Sequence, residues 1–140
     1  MKNLLVKMVS VGLWVGTAAF GSGYKCTSAD TDQGRWSVQM YNRTTHETRV
    51  PSIIVISNEL QGTVLKRNGT QINKVIRTNT VQFVMEGNRL IDADTVIFQV
   101  ARKEGREVLK KGEETSGQLI LVRDGLREVV SLTCARYLKN

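Results

Sequence analysis

QLILVRDGLREVVSLT, residues 118–133, decides the fold. Two runs rich in strand-forming residues meet at Asp124-Gly125. Asp-Gly tolerates the two consecutive positive φ angles of a type I′ turn, whose twist matches that of the flanking strands, so the stretch reads as a β-hairpin. The same grammar recurs where Asn68-Gly69 divides residues 63–67 from residues 70–77, which predicts a second hairpin. Further out, Trp36, Val38 and Met40 alternate with Arg35, Ser37, Gln39 and Tyr41, the period of a strand with one buried face. Residues 53–56 form a short apolar run, and residues 80–85 and 94–102 read as strands, with Gly87-Asn88 and Glu104-Gly105 supplying turn chemistry. Ile72, Val75 and Ile76 fit helical i, i+3, i+4 spacing, although Val and Ile favour strands. Eight or nine short strands with local connections predict an all-β fold. Its economical form is a small antiparallel meander closed into a barrel, since closure removes exposed edges. A two-sheet β-sandwich is the alternative.

The chain has 140 residues, 41% of them hydrophobic and 24% charged, which is globular composition and excludes disordered or collagen-like classes. No repeat or linker divides it, so residues 24–140 are expected to form one domain. Residues 1–23 have the order of a signal peptide: Lys2 and Lys7, an apolar run over residues 8–20, then the small residues Gly21, Ser22 and Gly23. The apolar run is shorter than the roughly 20 residues that a membrane-spanning helix needs. Cleavage after Gly23 or after Ala19 fits the small-residue pattern, and the first is preferred. The chain is then exported, periplasmic or secreted, with no transmembrane segment in its mature part. Cys26 and Cys134 are the only cysteines, they bracket nearly the whole mature chain, and in an oxidising compartment they most simply pair. The aromatic and charged residues Tyr24 and Lys25 before Cys26 disfavour a lipid anchor there.

Few residues carry chemistry. His46 is the only histidine, so any histidine relay must run through it, and no nucleophile elbow accompanies it. There is no P-loop, HExxH, paired CxxC or Rossmann glycine pattern, and no cofactor or metal is expected. Carboxylates fall in close pairs, Asp30 with Asp32, Asp92 with Asp94 and Glu113 with Glu114. On a strand, Asp92 and Asp94 would share a face and begin a two-carboxylate hydrolytic site or a calcium site. Turn roles for these aspartates are the simpler reading.

The formal net charge is +7, and removal of residues 1–23, which contain two lysines and no acid, lowers it to +5. Arg102, Lys103, Arg106, Lys110 and Lys111 form the densest basic segment. A hairpin over residues 94–111 would gather them at its tip and base, offering a site for an anionic envelope polymer or an acidic protein. Export and scarce aromatics, several of them needed for the core, argue against nucleic acid.

Tyr24-Lys25-Cys26, the run of short strands, Lys110-Lys111-Gly112-Glu113-Glu114 before the last hairpin and the closing Cys134 together resemble the small periplasmic inhibitors of chicken-type lysozyme. The resemblance implies a disulfide-closed, eight-stranded barrel that inserts a loop into the lysozyme cleft. The family's Ser-Gly-x-x-Tyr inhibitory loop has no counterpart between the central strands here, and Ser116-Gly117 lacks the following Tyr. Chicken-type lysozymes are basic, so a domain of charge +5 would be repelled on encounter. The expectation is therefore an exported, non-catalytic binding or inhibitor protein acting on an envelope component or another macromolecule. The alternatives are a structural or assembly protein of the cell envelope, or a hydrolase using Asp92 and Asp94 or His46.

Overall fold

The period-two alternation becomes the wall of a barrel. The computed structural model describes residues 20–43 and 53–138. They form nine strands: β1 (Phe20–Thr31), β2 (Gly34–Arg43), β3 (Ile53–Asn58), β4 (Gly62–Asn68), β5 (Ile72–Ile76), β6 (Thr80–Glu86), β7 (Thr95–Ala101), β8 (Glu114–Arg123) and β9 (Leu126–Leu138). All pairings are antiparallel, in the order β4-β3-β2-β1-β9-β8-β7-β6-β5. The first and last strands are neighbours, so the meander curls into a nearly closed barrel.

Asp124-Gly125 forms the expected hairpin. Arg123 lies opposite Leu126, and Asp124 and Gly125 take φ values of 51° and 78°. Asn68-Gly69 does not. Asn68 stays extended at φ −97° and ψ 176°, and Gly69–Gln71 form one turn of 3-10 helix. The Asn68 N–H donates to Gln71 Oε1 at 3.0 Å, and the Thr70 hydroxyl donates to Asn68 Oδ1 at 2.9 Å. The strands on either side do not pair with each other: β4 pairs with β3, and β5 pairs with β6. Because every ladder is antiparallel, β4 and β5 run in the same sense. They are two halves of one bent passage along the barrel, which changes partner at the 3-10 turn. Counted by ladders the barrel has nine strands, and counted by chain passages it has eight. The helical spacing of Ile72, Val75 and Ile76 is overridden by pairing with β6, and Ile76 is left exposed. Where β4 lacks a ladder partner, side chains bridge the gap. Arg67 Nε and Nη2 donate to the carbonyls of Glu86 (3.1 Å) and Gly87 (3.3 Å), and Asn88 Nδ2 donates to Val64 O (3.1 Å).

Inward-facing positions fill the barrel, with Val38, Ile56, Phe98 and Leu119 fully buried and Phe83 stacked on Phe98 at a centroid distance of 5.8 Å. Cys26 lies directly opposite Cys134 on β1 and β9, their Sγ atoms at bonding distance (2.09 Å) inside the barrel. Gly117 on β8 makes room for this bridge, because a Cβ there would stand 2.7 Å from Cys134 Sγ and 2.9 Å from Gln99 O. Outward-facing positions are largely polar. Gln82 Nε2 donates to Gln99 Oε1 at 2.7 Å, and Gln99 Nε2 donates to Gln118 Oε1 at 3.2 Å, forming a row across three strands. An apolar interior inside a polar wall is the reverse of a membrane-spanning barrel. Among the described residues no helix is long and apolar enough to cross a membrane. Residues 1–19 lie outside the described part, but β1 starts at Phe20, with Ser22 opposite Leu138 and Gly23 opposite Tyr137. Of the two cleavage positions read from sequence, the one after Ala19 leaves this strand whole.

Candidate functional site

The connections β1–β2, β3–β4, β6–β7 and β8–β9 gather at one end of the barrel, and the β5–β6 and β7–β8 connections at the other. The sequence points to the second end. Its basic segment does not form a hairpin over residues 94–111, because β7 pairs with β8 and leaves residues 102–113 as the connection between them. Within it Glu104 and Gly105, at φ 54° and 74°, make a tight turn closed by Lys103 opposite Arg106.

Three of the five predicted cations are occupied in holding this connection. Arg102 Nη1 donates to the carbonyls of Arg77 (2.8 Å) and Thr78 (3.3 Å), and Nη2 donates to Gly105 O. Lys103 Nζ donates to Glu114 O at 3.1 Å. Arg106 grips both oxygens of Glu113, at 2.9 and 2.8 Å. With the Lys110 N–H also donating to it at 2.6 Å, the Glu113 carboxyl is held well below the usual carboxylate range, at about 2. The loop then tucks Leu109 into the barrel, where its N–H donates to the Tyr24 hydroxyl at 2.9 Å, and burial pushes the Tyr24 pKa up. Lys110 and Lys111 alone among the five are exposed, the other three being half-buried. The segment is a packed clasp more than a free cationic tip.

Asp92 and Asp94 lie in the loop before β7 and not on a strand. Asp92, at φ 57°, pairs with Arg123, and Asp94 accepts the Asp124 N–H at 3.0 Å. Both fasten the β6–β7 loop to the β8–β9 turn. The Asp92 carboxylate also holds the Arg123 pKa above its ordinary value. His46 lies outside the described residues. Among the described residues no three His, Cys, Asp or Glu side chains gather as a metal site.

The hairpin end carries a cleft of about 630 Å³ that the sequence reading did not single out. Trp36, Ile91 and Leu121 form its buried part, while Leu60, Leu90 and Leu126 stand at its edge with exposures of 71%, 52% and 73%. Leu60 and Leu90 come from turns whose other residues are mostly polar, and Leu126 follows the Asp124-Gly125 turn. An apolar residue inside turn chemistry was the signal available. Asn58 also lines this cleft. It is 3% exposed, its Oδ1 accepts the Leu60 N–H at 2.9 Å, and its Nδ2 is buried with no hydrogen-bond partner. A buried amide donor left unpaired costs about 1–3 kcal/mol, and most native groups of this kind are satisfied.

No protein-family model, no curated protein and no solved structure matches this chain.

Proposed function

We propose that this chain is an exported, non-catalytic binding protein that holds a macromolecular partner at the hairpin end of its barrel. The observation that carries the reading is the leucine rim. Leu60 and Leu90 come from two separate connections and Leu126 directly follows a third, all lie at one end, and all border the same cleft. Exposed apolar groups that converge on a concave site rimmed by polar residues mark interaction surfaces, whereas scattered ones need no explanation. The Cys26–Cys134 bridge and the signal-like residues 1–19 support export. A rigid, disulfide-closed barrel presenting short turns suits binding, because little ordering entropy is lost when the partner docks. Lys110 and Lys111 at the other end are a secondary electrostatic surface.

Photo-crosslinking tests this. Benzoylphenylalanine is placed at Leu126 on the rim or at Thr133 on the outer wall, and each purified protein is illuminated with envelope and secreted fractions of the host. The reading expects a saturable adduct of one mass from position 126 and none from position 133. Equal labelling from both positions, or no saturable adduct at the rim, overturns it.

A further inference from the structure

We infer that the occupant of the leucine-rimmed cleft is a basic protein segment, one that presents an apolar side chain flanked by lysine or arginine and offers a backbone carbonyl to Asn58. This rests on the proposed binding role of the hairpin end and adds the chemistry of the partner. The net charge of the chain points the other way, toward an anionic partner, but the charge is not evenly spread. The strand order sorts it by end. Asp30, Asp32 and Glu59 stand at the β1–β2 and β3–β4 turns, and Glu86, Asp92 and Asp94 border the β6–β7 loop. Asp124 and Glu128 complete the set at the last hairpin, so eight of the thirteen carboxylates of the chain share one end. Five arginines accompany them: Arg35, Arg89, Arg123, Arg127 and Arg67, whose guanidinium reaches the Glu86 and Gly87 carbonyls.

Two of those five are paired with carboxylates, Arg35 with Asp30 at 3.4 Å and Arg123 with Asp92, and Arg67 is held by backbone carbonyls. Asp32, Glu128 and Arg127 line the cleft with no ion-pair partner among the described residues, and with the Asp92–Arg123 pair the lining carries three carboxylates against two arginines. The field at the cleft is therefore negative while the far end, with its clasp of Arg102, Lys103, Arg106, Lys110 and Lys111, is positive. A basic partner is drawn to the hairpin end and oriented there, and an acidic one is turned toward the opposite end.

Two further observations fix what enters. Leucines at three points of the rim, above the buried indole of Trp36, call for an apolar side chain between them. Asn58 Nδ2, buried and unpartnered beside the same cleft, lacks an acceptor, and a docking segment that displaces the cover over it can supply the one acceptor every protein segment carries, its carbonyl oxygen. Satisfying that donor on binding converts an existing cost into affinity. Charge selects the partner and the leucines and Asn58 seat it.

The test uses the full chain with Trp14→Phe, so that Trp36 is the only tryptophan and reports from the cleft. Three synthetic peptides serve as probes, each with a central Leu-Leu flanked by lysines, by glutamates or by serines. Binding is read from Trp36 emission and from the Asn58 side-chain amide in NMR spectra. The lysine peptide is expected to bind about tenfold tighter than the serine peptide and to shift the Asn58 amide, with the glutamate peptide weakest. Asp32→Asn with Glu128→Gln should reduce the lysine preference to about threefold or less, while Lys110→Gln with Lys111→Gln leaves it unchanged. Equal binding of the three peptides, a glutamate preference, or a shift of Trp36 without Asn58 overturns the inference. Concentration-dependent sedimentation of the protein alone, abolished by Lys110→Glu with Lys111→Glu, would overturn it differently, by making the basic end of a second copy the occupant. An acidic partner crosslinked at Leu126 would refute this inference and leave the binding role standing, whereas the absence of any rim adduct would remove both.

Discussion

Gly117, Glu113 and Asn58 each do something that their identity alone does not announce. Gly117 sits mid-strand, where glycine ordinarily weakens a sheet, because the disulfide occupies the space of its missing side chain. Gly117→Ala should cost about 1–3 kcal/mol by overpacking against Cys134 Sγ and Gln99 O, read as a lower urea midpoint with unchanged m. Glu113 titrates at about 2 because Arg106 and the Lys110 N–H stabilise its charged form. Its folded pKa lies below its ordinary value of 4.5, so it stabilises the clasp fully above that value and loses the effect as pH falls toward about 2. NMR of the Glu113 carboxyl should show this low midpoint, and Arg106→Gln should return it toward the ordinary range. A midpoint near 4.5 in the unaltered protein would mean that the Arg106 contact does not persist in solution. The unpaired Asn58 donor was beyond sequence reading, since an asparagine near a turn is commonplace and only burial makes it exceptional.

Elements were legible where local chemistry and long-range pairing agree. The alternation around Trp36 to Met40 and the hairpin at Asp124-Gly125 follow from residue period and turn type, and the strands are found there. Asn68-Gly69 has the same local signature and forms a different structure, because its two flanking strands are claimed by β3 and β6. In this barrel one passage pairs with β3 along its first half and with β6 along its second, an arrangement set by the whole ladder and invisible in a dipeptide. The two glycines should therefore respond differently. Gly125→Ala, at φ 78°, should cost about 1–2 kcal/mol, whereas Gly69→Ala, in a 3-10 turn, should cost less than about half of that. Comparable losses in urea unfolding would favour a hairpin at both. The β7–β8 connection was legible in its turn at Glu104-Gly105 and not in its purpose. Carbonyls of Arg77, Thr78 and Glu114 come from elements whose position only the fold supplies, and they engage Arg102 and Lys103 in holding the loop. Arg106→Glu, facing Glu113, should accordingly expose the Leu109 amide to hydrogen exchange before the rest of the barrel, a local opening that a solvated cationic tip would not show.

At the scale of the whole molecule, the disulfide, the ladder between β1 and β9 and the partner switch at residues 69–71 together make a barrel with two unlike ends. Cys26 and Cys134 are 108 residues apart in sequence, so the bridge constrains most of the unfolded chain. Replacing both by Ser should lower stability by roughly 2–5 kcal/mol without changing the fold, measured by urea unfolding and circular dichroism. Composition reports only the total charge, and the strand order separates it into an acidic hairpin end with exposed leucines and a basic clasp. The proposed binding surface is the first of these ends. The most direct measurement is the affinity of the partner crosslinked at the rim for two double variants, Leu60→Ser with Leu126→Ser and Lys110→Glu with Lys111→Glu, by calorimetry at one salt concentration. Loss of about thirtyfold or more in the leucine variant, as for central apolar anchors, with the lysine variant within about threefold of the unaltered protein, is the predicted result. Loss confined to the lysine variant would place the binding surface at the clasp and overturn its assignment to the hairpin end.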